Sequence, residues 1–235
     1  MDWQWPFSVQ QAREFQTRAA SQLQLTPFQH PVRCIAGADI GLPNKGSMVR
    51  AAICTFDANC LTPLELSIVT LPNTMPYIPG LLGFREVPAL VRAYELLENK
   101  PQLVLVDGQG IAHPRRFGNA SQLGWQLNIA TIGVAKSKLT GEHQPLEAPP
   151  GSVQPLIDEN HIVGYVLRSK ARCKPLYLSP GNRVSTEQSL SFVRQCLDGY
   201  RLPKPTRWAD AFASNRPSAA KLLKLLSPDK VHQIT

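Results

Sequence analysis

The sequence predicts an α/β protein with a central mixed sheet, an antiparallel three-strand meander continued by parallel strands, flanked by helices. Three observations carry this expectation. Residues 32–70 hold three strand-length runs joined by short links, which suits a meander. Residues 84–134 alternate helical and strand-like patterns, the signature of parallel strands with helical crossovers. Within that second stretch, Leu103, Val104, Leu105 and Val106 form an unbroken apolar run, expected of a strand buried on both faces in the middle of a sheet. The chain of 235 residues suffices for one such core, so a single domain over 1–235 is expected.

Taken in order, residues 8–23 predict an amphipathic helix capped by Ser8, with Val9, Ala12, Phe15, Ala19 and Leu23 on a stripe that docks on one side of the sheet. Trp3, Trp5 and Phe7 precede it, placed to cover a sheet edge. Residues 32–40 predict a strand ending in Asp39. Its small residues Ala36, Gly37 and Ala38 imply that another element packs very close. A turn at 41–46 leads to strands at 48–57 and 64–70. Residues 72–80 contain three prolines and a glycine, so the loop is stiff. Tyr77 and Ile78 sit at its centre between Pro76 and Pro79, as a wedge or stacking platform, or packed back on the domain.

A helix follows over 84–98, with Pro88 in its first turn and Val87, Leu90, Val91, Tyr94 and Leu97 at helical spacing. This puts Glu86 at the amino end, where an acid is favourable whether or not it has another role. The 103–106 strand ends on Asp107, followed by Gly108, Gly110, His113, Arg115 and Arg116. A carboxylate there suits a turn cap equally with a site at the carboxyl end of a central strand. Residues 119–128 predict a helix and 129–134 a strand leading to Lys136. Residues 143–160, rich in Pro, Glu, Asp and Gly, predict an exposed excursion. Residues 161–168 and 174–179 predict a hairpin with a basic link. A Ser-Pro-Gly-Asn turn then precedes a helix from Ser185, whose capping box is completed by Gln188, to about 197. A short helix over 206–213 presents Asp210, and Pro217 opens a last helix holding Leu222, Leu223, Leu225 and Leu226.

The net charge is +8, unevenly distributed: residues 1–100 hold 8 Lys/Arg and 8 Asp/Glu, residues 101–235 hold 17 and 9. That asymmetry fits a polyanionic partner, or a basic surface that serves solubility alone. Five scattered cysteines without CxxC spacing indicate neither a disulfide framework nor a structural zinc site. No signal peptide or membrane-length apolar span is present, which predicts a cytoplasmic protein with no membrane partner. No internal repeat, P-loop or dinucleotide motif is found.

If the strands ending in Asp39 and Asp107 are parallel neighbours, their carboxylates lie side by side and Glu86 can join them. Clustered acids repel one another and call for a hard cation, Mg²⁺ or Mn²⁺, which can promote phosphodiester hydrolysis while Lys and Arg hold phosphates. The alternative is three unrelated carboxylates at element ends.

Over nearly its full length the chain resembles bacterial endonuclease V. The matching blocks are Gly-Ala-Asp-Ile-Gly (37–41), Met-Pro-Tyr-Ile-Pro-Gly (75–80), Phe-Arg-Glu (84–86), Val-Asp-Gly (106–108), Ala-His-Pro-Arg-Arg (112–116), Thr-Ile-Gly-Val-Ala-Lys (131–136), Arg-Ser-Lys-Ala-Arg-Cys (168–173) and the stretch from Gly199 to Asp210. The resemblance implies a ribonuclease H-like fold and Mg²⁺-dependent cleavage, with Mn²⁺ substituting, at the second phosphodiester 3′ to deoxyinosine in DNA, leaving 3′-hydroxyl and 5′-phosphate ends. It implies that Asp39, Glu86 and Asp107 bind the metal, and that Asp210 and Lys136 complete the catalytic set. Tyr77 matches a wedge that fills the gap left by an extruded base. Pro76, Ile78, Pro79, Gly80, Arg85 and His113 stand with it on the DNA-binding side. Gly108, Gln109 and Gly110 match the lesion pocket. The partner implied is DNA containing deoxyinosine, with inosine-containing RNA or branched DNA as alternatives and no obligate protein partner. A module that binds distorted DNA without cutting is the reading from another class. Two positions depart from the family pattern: Gln109 and Gln122 stand where histidines are usual, and glutamine keeps a hydrogen bond but carries no proton or charge near neutral pH.

Overall fold

In the computed structural model, which describes residues 8–234, a nine-stranded mixed sheet carries helices on both faces. Trp3, Trp5 and Phe7 lie outside the described residues. Strands β1 (Cys34–Gly41), β2 (Met48–Asp57) and β3 (Pro63–Pro72) form the expected antiparallel meander. Strands β4 (Leu103–Val106) and β5 (Ala130–Ala135) run parallel to β1, with Ala38 opposite Val106 and Val106 opposite Gly133. The remaining strands are β6 (Val153–Asp158), β7 (His161–Leu167), β8 (Leu176–Asn182) and β9 (Val231–Ile234), and the spatial order is β6-β7-β8-β5-β4-β1-β2-β3-β9.

Strand alternation divides the core in two. Ile35, Leu103, Leu105, Ile132 and Val134 face helices α4 (Thr186–Gln195) and α5 (Lys204–Ala213), meeting Val193, Trp208 and Phe212. Ala36, Ala38, Val104 and Val106 face α2 (Leu82–Leu96) and α3 (Asn119–Leu127), meeting Val87, Leu90 and Leu123. The small residues of β1 admit α5: a side chain on Gly37 would begin 2.0 Å from the Pro205 carbonyl, and one on Gly41 would begin 2.1 Å from that of Ala213. Among the described residues no helix is long and apolar enough to cross a membrane.

Several elements differ from expectation. Helix α1 (Val9–Ala20) is capped by Ser8 but docks on the helical layer rather than on the sheet, packing Ala12 and Phe15 against Leu81 and Phe84. Val9 is exposed and Gln16 is buried instead. Helix α2 starts at Leu82, so Glu86 lies a full turn inside it and Pro88 falls in the second turn. Within the predicted excursion, β6 pairs with β7 through Glu159 and Asn160, both at positive φ as a tight two-residue hairpin requires. Ser179, Pro180, Gly181 and Asn182 belong to β8 rather than to a turn. Pro180 is accommodated where the pairing with β5 shifts register, and its carbonyl accepts from Ile111 N at 2.8 Å. The last helix, α6 (Ala219–Leu223), is shorter than its leucine pattern, and the chain continues into β9, which lies parallel to β3.

Candidate active site

The site grows from three strand ends. In β1, Ile35, Gly37 and Asp39 share the face turned to α5. Leu103, Leu105 and Asp107 do so along β4, and Ile132, Val134 and Lys136 along β5. The ladder between β1 and β4 continues one step past β4, where Asp107 N donates to Ala38 O at 2.9 Å, so Asp39 and Asp107 are neighbours. Asp210 comes from α5, held close by the glycine contacts of β1. Asp39, Asp107 and Asp210 each bring a carboxylate oxygen within 4.8 Å of the others. Lys136 Nζ stands among them, ion-paired to Asp107, 3.0 Å from Asp210 Oδ1 and 3.9 Å from Asp39 Oδ2.

Burial and the neighbouring Asp107 push Asp39 from the usual carboxylate value up to about 8. Burial also raises Asp107, with Lys136 pulling the other way. Burial works to raise Asp210 too, but hydrogen bonds from Arg216 and Lys136 prevail and hold it low; Arg216 Nη2 lies 3.0 Å from its Oδ1. Although burial disfavours its charge, the Lys136 ammonium is held above the ordinary lysine range by Asp107 and Asp39. A largely buried, all-oxygen donor set in which Asp107 and Asp210 both push Asp39 upward fits a hard divalent cation.

Glu86 stands outside that close group. Arg85 Nη2 donates to its Oε1 at 2.9 Å and Asn119 Nδ2 to its Oε2 at 2.6 Å; burial raises its pKa despite both bonds. Arg85 is thereby turned inward. Its guanidinium also lies over the Tyr77 ring, 5.7 Å from the centroid. Tyr77 itself is 66% exposed, whereas Ile78 packs with Leu81 and Phe84, so the loop is anchored through Ile78 and presents Tyr77 outward. The Gly80 carbonyl fastens the end of the loop, accepting from Gln16 Nε2 at 3.0 Å and Arg115 Nη2 at 2.7 Å. It also meets His113 Nε2 at 3.1 Å. His113 Nδ1 accepts from Arg115 N, so Nε2 carries the proton and the ring is neutral. Burial and Arg115 push its pKa down to about 4.

Beside the carboxylates opens a cavity of about 300 Å³ whose walls include Asp107, Gly108, Gln109, His113, Lys136 and Tyr77. Gly108 and Gln109 are among its lining residues; Gly110 is not, because its backbone is pressed against Pro180, with its N–H bonded to Ser179 Oγ at 2.8 Å. Gln122 is fully buried behind Gly83, its amide unpaired. Gln16 and Asn119 also line the cavity and escape sequence reasoning. A lone glutamine in an apolar helical stripe and an asparagine at a helix start carry no motif of their own.

A sheet in this order, with carboxylates gathered at the ends of its central strands and a helix closing over them, defines a nuclease of the ribonuclease H-like fold. Residues 17–211 match the family model described as Endonuclease V. The chain belongs to the endonuclease V family. It is similar to endonuclease V of Streptomyces avermitilis, with a TM-score of 0.84 and 34% identity over 92% of this chain and 96% of that one. The Bacillus subtilis enzyme gives a TM-score of 0.84 at 27% identity over 94% and 96%. The fold is also shared with Ciona intestinalis endonuclease V, solved with a 24mer DNA containing an inosine followed by a ribo-adenosine; that match has a TM-score of 0.77 at 22% identity over 91% and 98%.

Proposed function

We propose that this protein is a DNA repair endonuclease that recognises deoxyinosine and hydrolyses the second phosphodiester 3′ to it, leaving 3′-hydroxyl and 5′-phosphate ends. The observation that carries the reading is that Asp107 belongs both to the carboxylate group and to the wall of the adjoining cavity, so base capture and backbone chemistry meet at one strand end. Asp39, Asp107 and Asp210 would hold Mg²⁺ or Mn²⁺, with Glu86 poised behind them. Bound there, the cation supplies Lewis-acid activation and neutralises charge developing at the phosphate. Lys136 places a point charge against the same phosphate. Tyr77 enters the stack as the base leaves it, and the cavity receives the extruded base.

The test is incision of a labelled deoxyinosine duplex with and without Mg²⁺, beside an undamaged duplex, a branched junction and inosine-containing RNA. Metal-dependent cutting confined to the deoxyinosine strand is expected. Asp107→Asn should abolish it while leaving most of the DNA binding, because phosphate contacts lie on other residues. Wild-type protein that binds but never cuts would overturn the nuclease reading. Cutting restricted to the RNA would favour the second reading, to which the ribo-adenosine in the DNA bound by the Ciona relative lends support.

A further inference from the structure

The cavity wall carries an amide that the chemistry above leaves half used. Asn119, the first residue of α3, is 6% exposed and lines the cavity. Its Nδ2 donates to Glu86 Oε2, and because the other oxygen of that carboxylate is ion-paired to Arg85 the group accepts, which fixes the end of the amide that is nitrogen. Oδ1 takes no hydrogen bond among the described residues. It lies 3.4 Å from where a side chain on Gly83 would begin, and Gly83 is itself part of the wall. Gln109 repeats the pattern: its Nε2 donates to the Ser137 carbonyl at 2.9 Å, which prevents reversal of the amide, and its Oε1 is buried without a partner. Two cavity-lining amides are thus each held with the oxygen as the unused end.

We infer that Asn119 is a specificity-determining residue whose Oδ1 accepts the N1–H of a 6-oxopurine base held in the cavity. The inference rests on the base-pocket reading of that cavity. Hypoxanthine presents a donor at N1, whereas adenine, from which it arises by deamination, presents a lone pair there. Two acceptors facing each other in a buried site leave both unpaired, which penalises adenine far more than a missing contact would. Gln109 Oε1 adds a second acceptor to the same wall and none of the donors adenine's N1 would need. Because the Asn119 amide is also bonded to Glu86, the group that reads the base is tied to a carboxylate beside the chemistry.

The experiment measures binding to duplexes carrying a single deoxyinosine or a single 2′-deoxynebularine, which has a lone pair at N1 and no 6-oxo group. EDTA is present throughout, so that no cation engages Glu86. The wild-type preference for deoxyinosine should fall about tenfold in Asn119→Leu. Asn119→Ser, which disturbs the wall less, should behave likewise. Asn119→Asp combined with Glu86→Gln reverses donor and acceptor in the bond between the two side chains, keeps an oxygen at the Oδ1 position and should retain most of the preference. An unchanged preference in a folded Leu or Ser variant, or an equal loss in the folded Asp–Gln double variant, would overturn the role of Asn119 while leaving the base pocket standing. Wild-type protein with no preference for deoxyinosine would instead overturn the pocket itself.

Discussion

At Asp39 a cation competes with a proton, because burial and Asp107 favour the neutral carboxyl. The Asp39 carboxyl is raised from 3.8 to about 8 in the folded protein. In the metal-free protein, the stability contributed by this raised pKa is complete below 3.8 and is lost as pH climbs through 8. A divalent ion takes the deprotonated form, so its stabilising effect grows over the same interval. The rise in melting temperature on adding Mg²⁺ should therefore be larger at about pH 9 than at about pH 6; equal rises would show that metal binding does not displace a proton from Asp39 over this range. Tyr77 lends itself to a different measurement. An exposed ring on a proline-stiffened loop loses little entropy on entering a duplex, and stacking of this kind is worth ~1–3 kcal/mol. Tyr77→Ala should weaken binding to a deoxyinosine duplex about tenfold, and less on single-stranded DNA, with melting temperature unchanged. A fall of several degrees in melting temperature with equal losses on both substrates would make it a packing residue. Asp39, Asp107 and Lys136 were legible because each follows an apolar strand. Asn119 and Gln16 were not, since their importance lies in partners far along the chain, Glu86 and Gly80.

At the scale of elements, the closest approach in the site is between β1 and α5. A methyl group on Gly37 would meet the Pro205 carbonyl at 2.0 Å, and backbone cannot give way as a flexible side chain does. Gly37→Ala should destabilise the protein by ~1–3 kcal/mol and lower cutting as well, because α5 carries Asp210. Chemical denaturation and incision assays would check this, and unaltered values in both would refute it. Ala36-Gly37-Ala38 announced such a neighbour in advance without saying which helix it was. Buried strands with uninterrupted apolar runs were legible throughout; edge strands were not. The polar residues and Pro155 of β6 are what an edge tolerates, and they read as loop. Ser-Pro-Gly-Asn has turn chemistry locally, but β8 absorbs it at a register shift, a tertiary solution that no local window contains.

Across the whole molecule, the basic excess of residues 101–235 separates into two populations. Arg116 pairs with Asp158 and Glu159, and Arg168 and Arg201 spend their guanidinium groups on backbone carbonyls, so these hold the fold together. Arg172 and Lys174 are exposed, and among the described residues their side chains make no hydrogen bond or ion pair, which leaves the 168–175 link as the freer surface for phosphates. The sheet itself draws its last strand and its third carboxylate from the same late part of the sequence. Strand β9 covers the outer edge of β3, pinned by His232 beside Glu65 and by Lys230 on Glu98, while α5 supplies the third carboxylate. Both come from beyond residue 200. Without β9 the outer edge of β3 would present unpaired backbone groups that another strand could claim, and without α5 Asp39 and Asp107 would stand together lacking Asp210. The covering of β3 and the completion of the carboxylate cluster thus both depend on segments more than a hundred residues along the chain from Asp39.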